Sequence, residues 1–247
     1  MSIPKLKKVR LRKMKAIFNK EFKSYFSSPI GYIFTAVFMI LASFFFLNGC
    51  IMYQVADISM IFSNINVVYL FLVSILTMRS FSEERNKKTD QLLLTAPCSI
   101  TEIVLGKYFA AMAVLGITVL ISLVFPFVLW MYGNPPISEI IGSYVGFVLL
   151  WGSFISVGIF ISSMTESQMI AAVFTFGALL LLYFLEGIIS GISNPLVKSV
   201  VSWFSLMGPY YEFQRGVLNI VSVVYYLSFI FVFLFLTVQG IEKRRYS

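Results

Sequence analysis

Six long apolar runs constrain this chain more than any other feature of it. They lie at approximately Ile30 to Met52, Ser59 to Met78, Ile103 to Trp130, Ile140 to Ile161, Met169 to Ile189 and Val217 to Val238. A helix needs about 20 apolar residues to cross a hydrocarbon core, and only a helix or a closed barrel satisfies its backbone there. Each run is long enough to cross as a helix. The expected fold class is therefore an all-α integral membrane protein with six transmembrane helices. Composition agrees, with 59% hydrophobic and only 12% charged residues in 247. The six runs use most of the chain, so no soluble catalytic domain is expected within it.

The basic residues orient the runs. Nine precede Ile30, five lie between Arg79 and Lys107 and three close the chain, whereas only Lys198 and Arg215 fall in other loops. Cytoplasmic loops carry the excess of Lys and Arg, which predicts both termini and the 79–107 stretch in the cytoplasm. The net charge of +8 is thus a topological and lipid-facing signal, with membrane lipids as partners and no nucleic acid.

Residues 1–13 read as a basic, mobile arm. From Met14, Ile17, Phe18, Phe22, Tyr25 and Phe26 recur at helical spacing, with Lys15, Lys20 and Lys23 on the other side. That pattern predicts a helix lying in the membrane interface, ended by Ser27-Ser28-Pro29. Pro126 should kink the third span. Gly142 and Gly146 allow a close helix approach, read first as packing within the bundle and second as a dimer contact. Ala171, Ala172, Thr175 and Gly177 give the fifth span a small-residue face.

The polar island, RSFSEERNKKTDQLLLTAPCSITEIVLGK, carries charge at its start, Leu92, Leu93 and Leu94 in its middle, and Pro97 as a stop. A short amphipathic helix followed by a break is expected. Ser99 and Glu102 then stand at capping-box spacing before the third span. With the following Tyr, this wording resembles the first cytoplasmic loop of type-2 ATP-binding-cassette (ABC) export permeases. Arg79, the Glu83-Glu84-Arg85 triplet, Thr89, Leu93-Leu94-Thr95 before Pro97, and Gly106-Lys107 carry the likeness. Phe213, Arg215, Gly216 and Val217, before a final aromatic-rich helix and basic tail, resemble the gliding-motility-permease-like branch. Branch members often carry a histidine before that phrase; this chain has none, so no role of that histidine carries over.

The resemblance implies a coupling helix pressed against a separate cytoplasmic ABC ATPase. Arg79, Glu83, Glu84, Arg85, Thr89, Leu92, Leu93 and Leu94 would be its ATPase-coupling residues, and Phe18, Phe22, Tyr25 and Phe26 would mark a connecting helix beside it. It divides the chain into a basic N-terminus and connecting helix (1–29), a six-span permease domain (30–238) and a basic tail (239–247). The permease domain would hold the coupling loop (79–107) and an outer re-entrant segment (187–216). Glu186, Phe213 and Arg215 are candidates for an outer gate or substrate path. ATP and Mg would be bound by the partner, not by this chain. A second permease copy or paralogue, and a bacterial inner membrane, are further implications.

Absences narrow the chemistry. No GxxxxGK[ST] phosphate loop is present, so ATP is not held here in the manner of an ABC ATPase. Without histidine there is no Ser-His hydrolysis, His-ligated metal or His proton relay. Glu83-Glu84 superficially resembles the paired glutamates of prenyl-protein proteases, which need histidine ligands. Asp57 and Asp90 fall on opposite faces, which argues against an aspartyl dyad. Leu47-Asn48-Gly49-Cys50 is like a lipoprotein box, but its leader would be too long. No enzyme is expected. The alternatives are an ion-coupled secondary transporter, which needs polar sites at the midplane where only Glu186 is a marginal candidate, and a membrane scaffold that recruits an ATPase.

Overall fold

A computed structural model describes residues 3–54, 57–89, 98–133, 135–192 and 194–245. Among these there is no strand. Ten α-helices follow one another: α1 (Ile3–Ser27), α2 (Pro29–Phe45), α3 (Ser59–Asn86), α4 (Ile100–Ser122), α5 (Val124–Tyr132), α6 (Ile137–Met164), α7 (Gln168–Ser190), α8 (Pro195–Ser202), α9 (Met207–Gln214) and α10 (Ile220–Arg245). A π-helical turn, Phe46–Ile51, extends α2.

Among the described residues, six helical segments are long and apolar enough to cross a membrane: Pro29–Ile51, Ser59–Asn86, Ile100–Met131, Ile137–Met164, Gln168–Ser190 and Ile220–Arg244. The six-span expectation is met, but helices outrun the apolar runs where charge follows. α3 continues past Met78 through Arg79, Glu83, Glu84 and Arg85 without a break. Nothing in that stretch is Gly or Pro, and Arg79–Glu83 and Glu83–Lys87 pair at i,i+4 with 2.7 Å contacts, so the helix persists into the polar region. The charged start expected for a separate short helix is instead the last two turns of a spanning helix. Likewise α1 begins at Ile3 rather than Met14, since Pro4 suits a first turn and nothing to Ser27 interrupts it.

α6 is the centre of the bundle, packing on α3, α4, α7, α9 and α10. Phe34 and Phe38 of α2, Phe62 and Tyr69 of α3, and Phe147, Trp151 and Phe154 of α6 form one buried aromatic core. Tyr69 and Trp151 meet edge to face, with ring centroids 4.3 Å apart and ring planes at 83°.

Small residues decide how closely α6 is approached. A Cβ on Gly158 would collide with Thr77 of α3, and one on Gly142 with the Phe213 carbonyl; on Gly146 it would lie 2.7 Å from Phe213 Cβ. The Gly142/Gly146 pair therefore seats α9 within the same chain, which is the bundle-packing reading. Of the small face expected on α7, Ala171 and Thr175 are buried, whereas a Cβ on Gly177 would meet nothing within 4 Å.

The third span breaks at Leu123, between α4 and α5. Pro126 cannot donate to the Ser122 carbonyl four residues earlier. Tyr144 of α6 supplies that hydrogen bond instead, its hydroxyl donating to Ser122 O at 2.8 Å.

Candidate functional site

The ends of α1, α3, α4, α6 and α10 meet at one pole, where most of the chain's charge gathers. α1 is split lengthwise: Ile17, Phe18, Glu21, Phe22 and Tyr25 are wholly or partly buried, while Lys15, Lys20 and Lys23 are exposed. Phe18 stacks on Phe22 at 5.7 Å and Phe22 packs on Phe26 at 5.1 Å. The buried face lies on α4, where Gly106 makes room; a Cβ there would stand 2.8 Å from Ile17 Cγ2. Tyr25 donates to the Leu76 carbonyl of α3 at 3.3 Å, and burial pushes its phenol up to about 12.

The neighbour of Gly106 is the hub of this pole. Lys107 is only 2% exposed, and its ammonium lies 3.0 Å from Glu21 Oε1 of α1 and 2.9 Å from Glu84 Oε2 of α3. It also donates to Ser80 O at 2.6 Å and stands 4.9 Å from the Phe81 ring centroid. Lys20 approaches the same carboxylates from outside, at 3.2 Å from Glu84 and 3.5 Å from Glu21. Two ammonium groups and two carboxylates thus balance. Burying one charge alone would cost several kcal/mol, and the paired arrangement with its backbone acceptor offsets that cost. Mechanically, one side chain ties α1, α3 and α4.

A second knot ties α3 to α6 and α10. Ser162 Oγ donates to Met78 O at 3.0 Å and accepts from the amides of Phe81 and Ser82 at 3.1 and 3.3 Å. Arg85 pairs with Glu166, just beyond α6, at 2.7 Å. Arg85 and Arg244 of α10 both donate to the Ser163 carbonyl. α3 ends in a Schellman arrangement, with Lys88 N donating to Arg85 O at 3.0 Å and Thr89 N to Glu84 O at 2.9 Å. Lys88 holds the left-handed conformation there, φ +54°. Ser99 and Glu102 form the expected capping box at the start of α4.

Of the sequence-derived coupling residues, Glu84 and Arg85 turn toward the rest of the bundle, Arg79 and Glu83 pair along α3, and Thr89 closes its end. Leu92, Leu93 and Leu94, with the short helix expected around them, lie outside the described residues. Glu166, expected as a minor second contact for the ATPase, instead pairs with Arg85 within the chain, and Lys107 and Glu21 were not among the sequence candidates. The Gly106-Lys107 pair was visible as a phrase, but nothing in it pointed to a partner 86 residues away.

Glu186, Phe213 and Arg215 sit at the opposite pole. Phe213 is fully buried against Gly142 and Gly146, and Gly216, at φ +76°, turns the chain sharply beside Ser138 and Glu139. Arg215 is exposed, and Glu186 accepts a hydrogen bond from Ser205. The 187–216 segment holds two short helices. α9 inserts Met207, Tyr210 and Phe213 into the bundle, whereas α8 buries no residue.

A bundle of six membrane-crossing helices, cross-braced by ion pairs at one pole, defines a multi-pass integral membrane protein. The family model described as ABC-2 family transporter protein matches residues 15–238, from within α1 to within the sixth span. The chain belongs to that family and is a permease subunit of an ABC transporter, a membrane part that normally works with a cytoplasmic ATPase subunit. No curated protein matches it.

Proposed function

We propose that this permease is driven through its charged pole by a separate cytoplasmic ABC ATPase, and that it works as an exporter. The observation that carries the reading is the bracing of α3 by Lys107 and Arg85 to α1, α4 and α6. A push delivered to residues 79–107 would move those helices together rather than bend one loop. The chain divides accordingly into the 1–29 connecting region, the 30–238 permease domain and the 239–247 tail. Leu92, Leu93 and Leu94 would press on the ATPase, with Arg79, Glu83 and Thr89 beside them. Glu84 and Arg85 would pass the movement inward, and Phe18, Phe22, Tyr25 and Phe26 would carry it along α1.

Two permeases, identical or paralogous, would enclose the path in a bacterial inner membrane, with both termini in the cytoplasm. ATP and Mg would act on the partner, and rigid-body rocking between two states would give alternating access. Segment 187–216, with Glu186, Phe213 and Arg215, would form the outer gate. The Phe213-Gln214-Arg215-Gly216-Val217 phrase supports the gliding-motility-permease-like branch.

The test is purification of the tagged full chain from its native membrane in mild detergent. An ATPase subunit bearing a phosphate loop should accompany it, with ATP hydrolysis in the eluate. A folded chain that repeatedly emerges without one contradicts the proposal.

A further inference from the structure

At the pole opposite the ion pairs, α7, α8, α9 and α10 surround a groove of about 540 Å³. That lies within the ~300–1,000 Å³ range of small-ligand sites. Its walls are mainly apolar, with Trp203 and Tyr225 among them, and two carboxylates, Glu186 and Glu212, face the same space. Each carboxylate is held by a serine. Ser205 donates to Glu186 Oε2, and Ser222 to Glu212 Oε2 at 3.2 Å. Ser205 is in turn fixed by the Gly208 amide at 3.3 Å, and Tyr225 by its bond to Trp203 O at 3.0 Å. Among the described residues neither carboxylate has an ion-pair partner, and the basic residues near this pole, Lys198 and Arg215, do not line the groove.

We propose that this groove binds an amphipathic organic cation. Charge complementarity requires a positive ligand, and the apolar walls require one with a hydrocarbon body. Aromatic side chains beside carboxylates favour a weakly hydrated organic cation. A hard divalent ion fits less well: it takes six or more oxygen ligands, and no group of three acidic, Cys or His side chains assembles among the described residues. A zwitterionic lipid would bring its phosphate against two carboxylates. The proposal deepens the exporter reading by giving its outer segment a ligand class, and it rests on that reading only for what the binding serves.

The test is equilibrium binding of tetraphenylphosphonium to the full chain in phosphatidylcholine nanodiscs, with empty nanodiscs subtracted and no ATPase present. Its near-isosteric anion, tetraphenylborate, is the control for shape. Saturable binding of the cation and not of the anion is expected. The double variant Glu186→Gln with Glu212→Gln, which keeps the serine acceptors, should weaken it about tenfold or more. Trp203→Leu, at an exposed position, should weaken it several-fold, whereas Glu139→Gln, outside the groove, should leave it unchanged. Equal affinity in wild type and double variant, or equal binding of anion and cation, would overturn the proposal. Because no ATPase is in the assay, failure of the coupling reading would leave this result intact, and the reverse also holds.

Discussion

Lys107 Nζ lies 2.9 Å from Glu84 Oε2, joining the first turns of α4 to the last turns of α3 inside the protein. Since Lys107 is 2% exposed, Lys107→Met should strand Glu21 and Glu84 with only the exposed Lys20 near them. Removing one partner of a buried pair costs about 3–5 kcal/mol. Lys20, 64% exposed, makes pairs of the kind worth at most ~1 kcal/mol, so Lys20→Met should be mild. Thermal unfolding of the two variants in detergent should separate them clearly; equal losses would show that Lys107 is not the hub.

The close approaches to α6 make a second prediction. Gly142→Ala and Gly158→Ala push a methyl group into Phe213 O and Thr77, respectively, and should each cost about 1–3 kcal/mol. Gly177→Ala meets nothing within 4 Å and should be neutral or slightly stabilising through helix propensity. The same unfolding assay reads all three, and a destabilising Gly177→Ala would count against an open face on α7.

Lys88 adopts a left-handed conformation that glycine enters without a Cβ penalty. Lys88→Gly should therefore leave stability unchanged or raise it by up to ~1 kcal/mol, while any role of Lys88 in partner contact would appear as weaker ATPase retention. A clear loss of stability would mean that the α3 terminus is held by the Lys88 side chain rather than by its backbone.

Cys98 is partly exposed beside the capping box of α4, whereas Cys50 is buried at the far end of α2. An impermeant maleimide should label Cys98 in inverted membrane vesicles and spare it in intact cells with the outer membrane permeabilised. Labelling from the cell exterior would reverse the proposed topology.

Much of this arrangement was legible in the sequence because it depends on local pattern. Apolar length marked the spans, alternating charge and aromatics marked α1, Ser99 and Glu102 marked the start of α4, and Pro126 marked the break. The pole itself was less legible. Charge after Met78 looked like the start of a new helix, because a run of polar residues hides the i,i+4 pairs that carry α3 onward. Lys107 looked like one more cytoplasmic cation, since its burial depends on Glu21 and Glu84, brought near only by tertiary packing. The same is true of Tyr144 replacing the donor lost at Pro126, and of Glu186 and Glu212 facing one groove.

If the 79–107 stretch delivers ATPase movement to the braced pole, ATPase activity retained on the tagged chain after mild purification will distinguish wild type, Leu93→Asp and Glu186→Gln measured side by side. Leu93→Asp should lose most of the activity while staying folded, and Glu186→Gln at the opposite pole should keep it. Equal retention by all three would contradict the account.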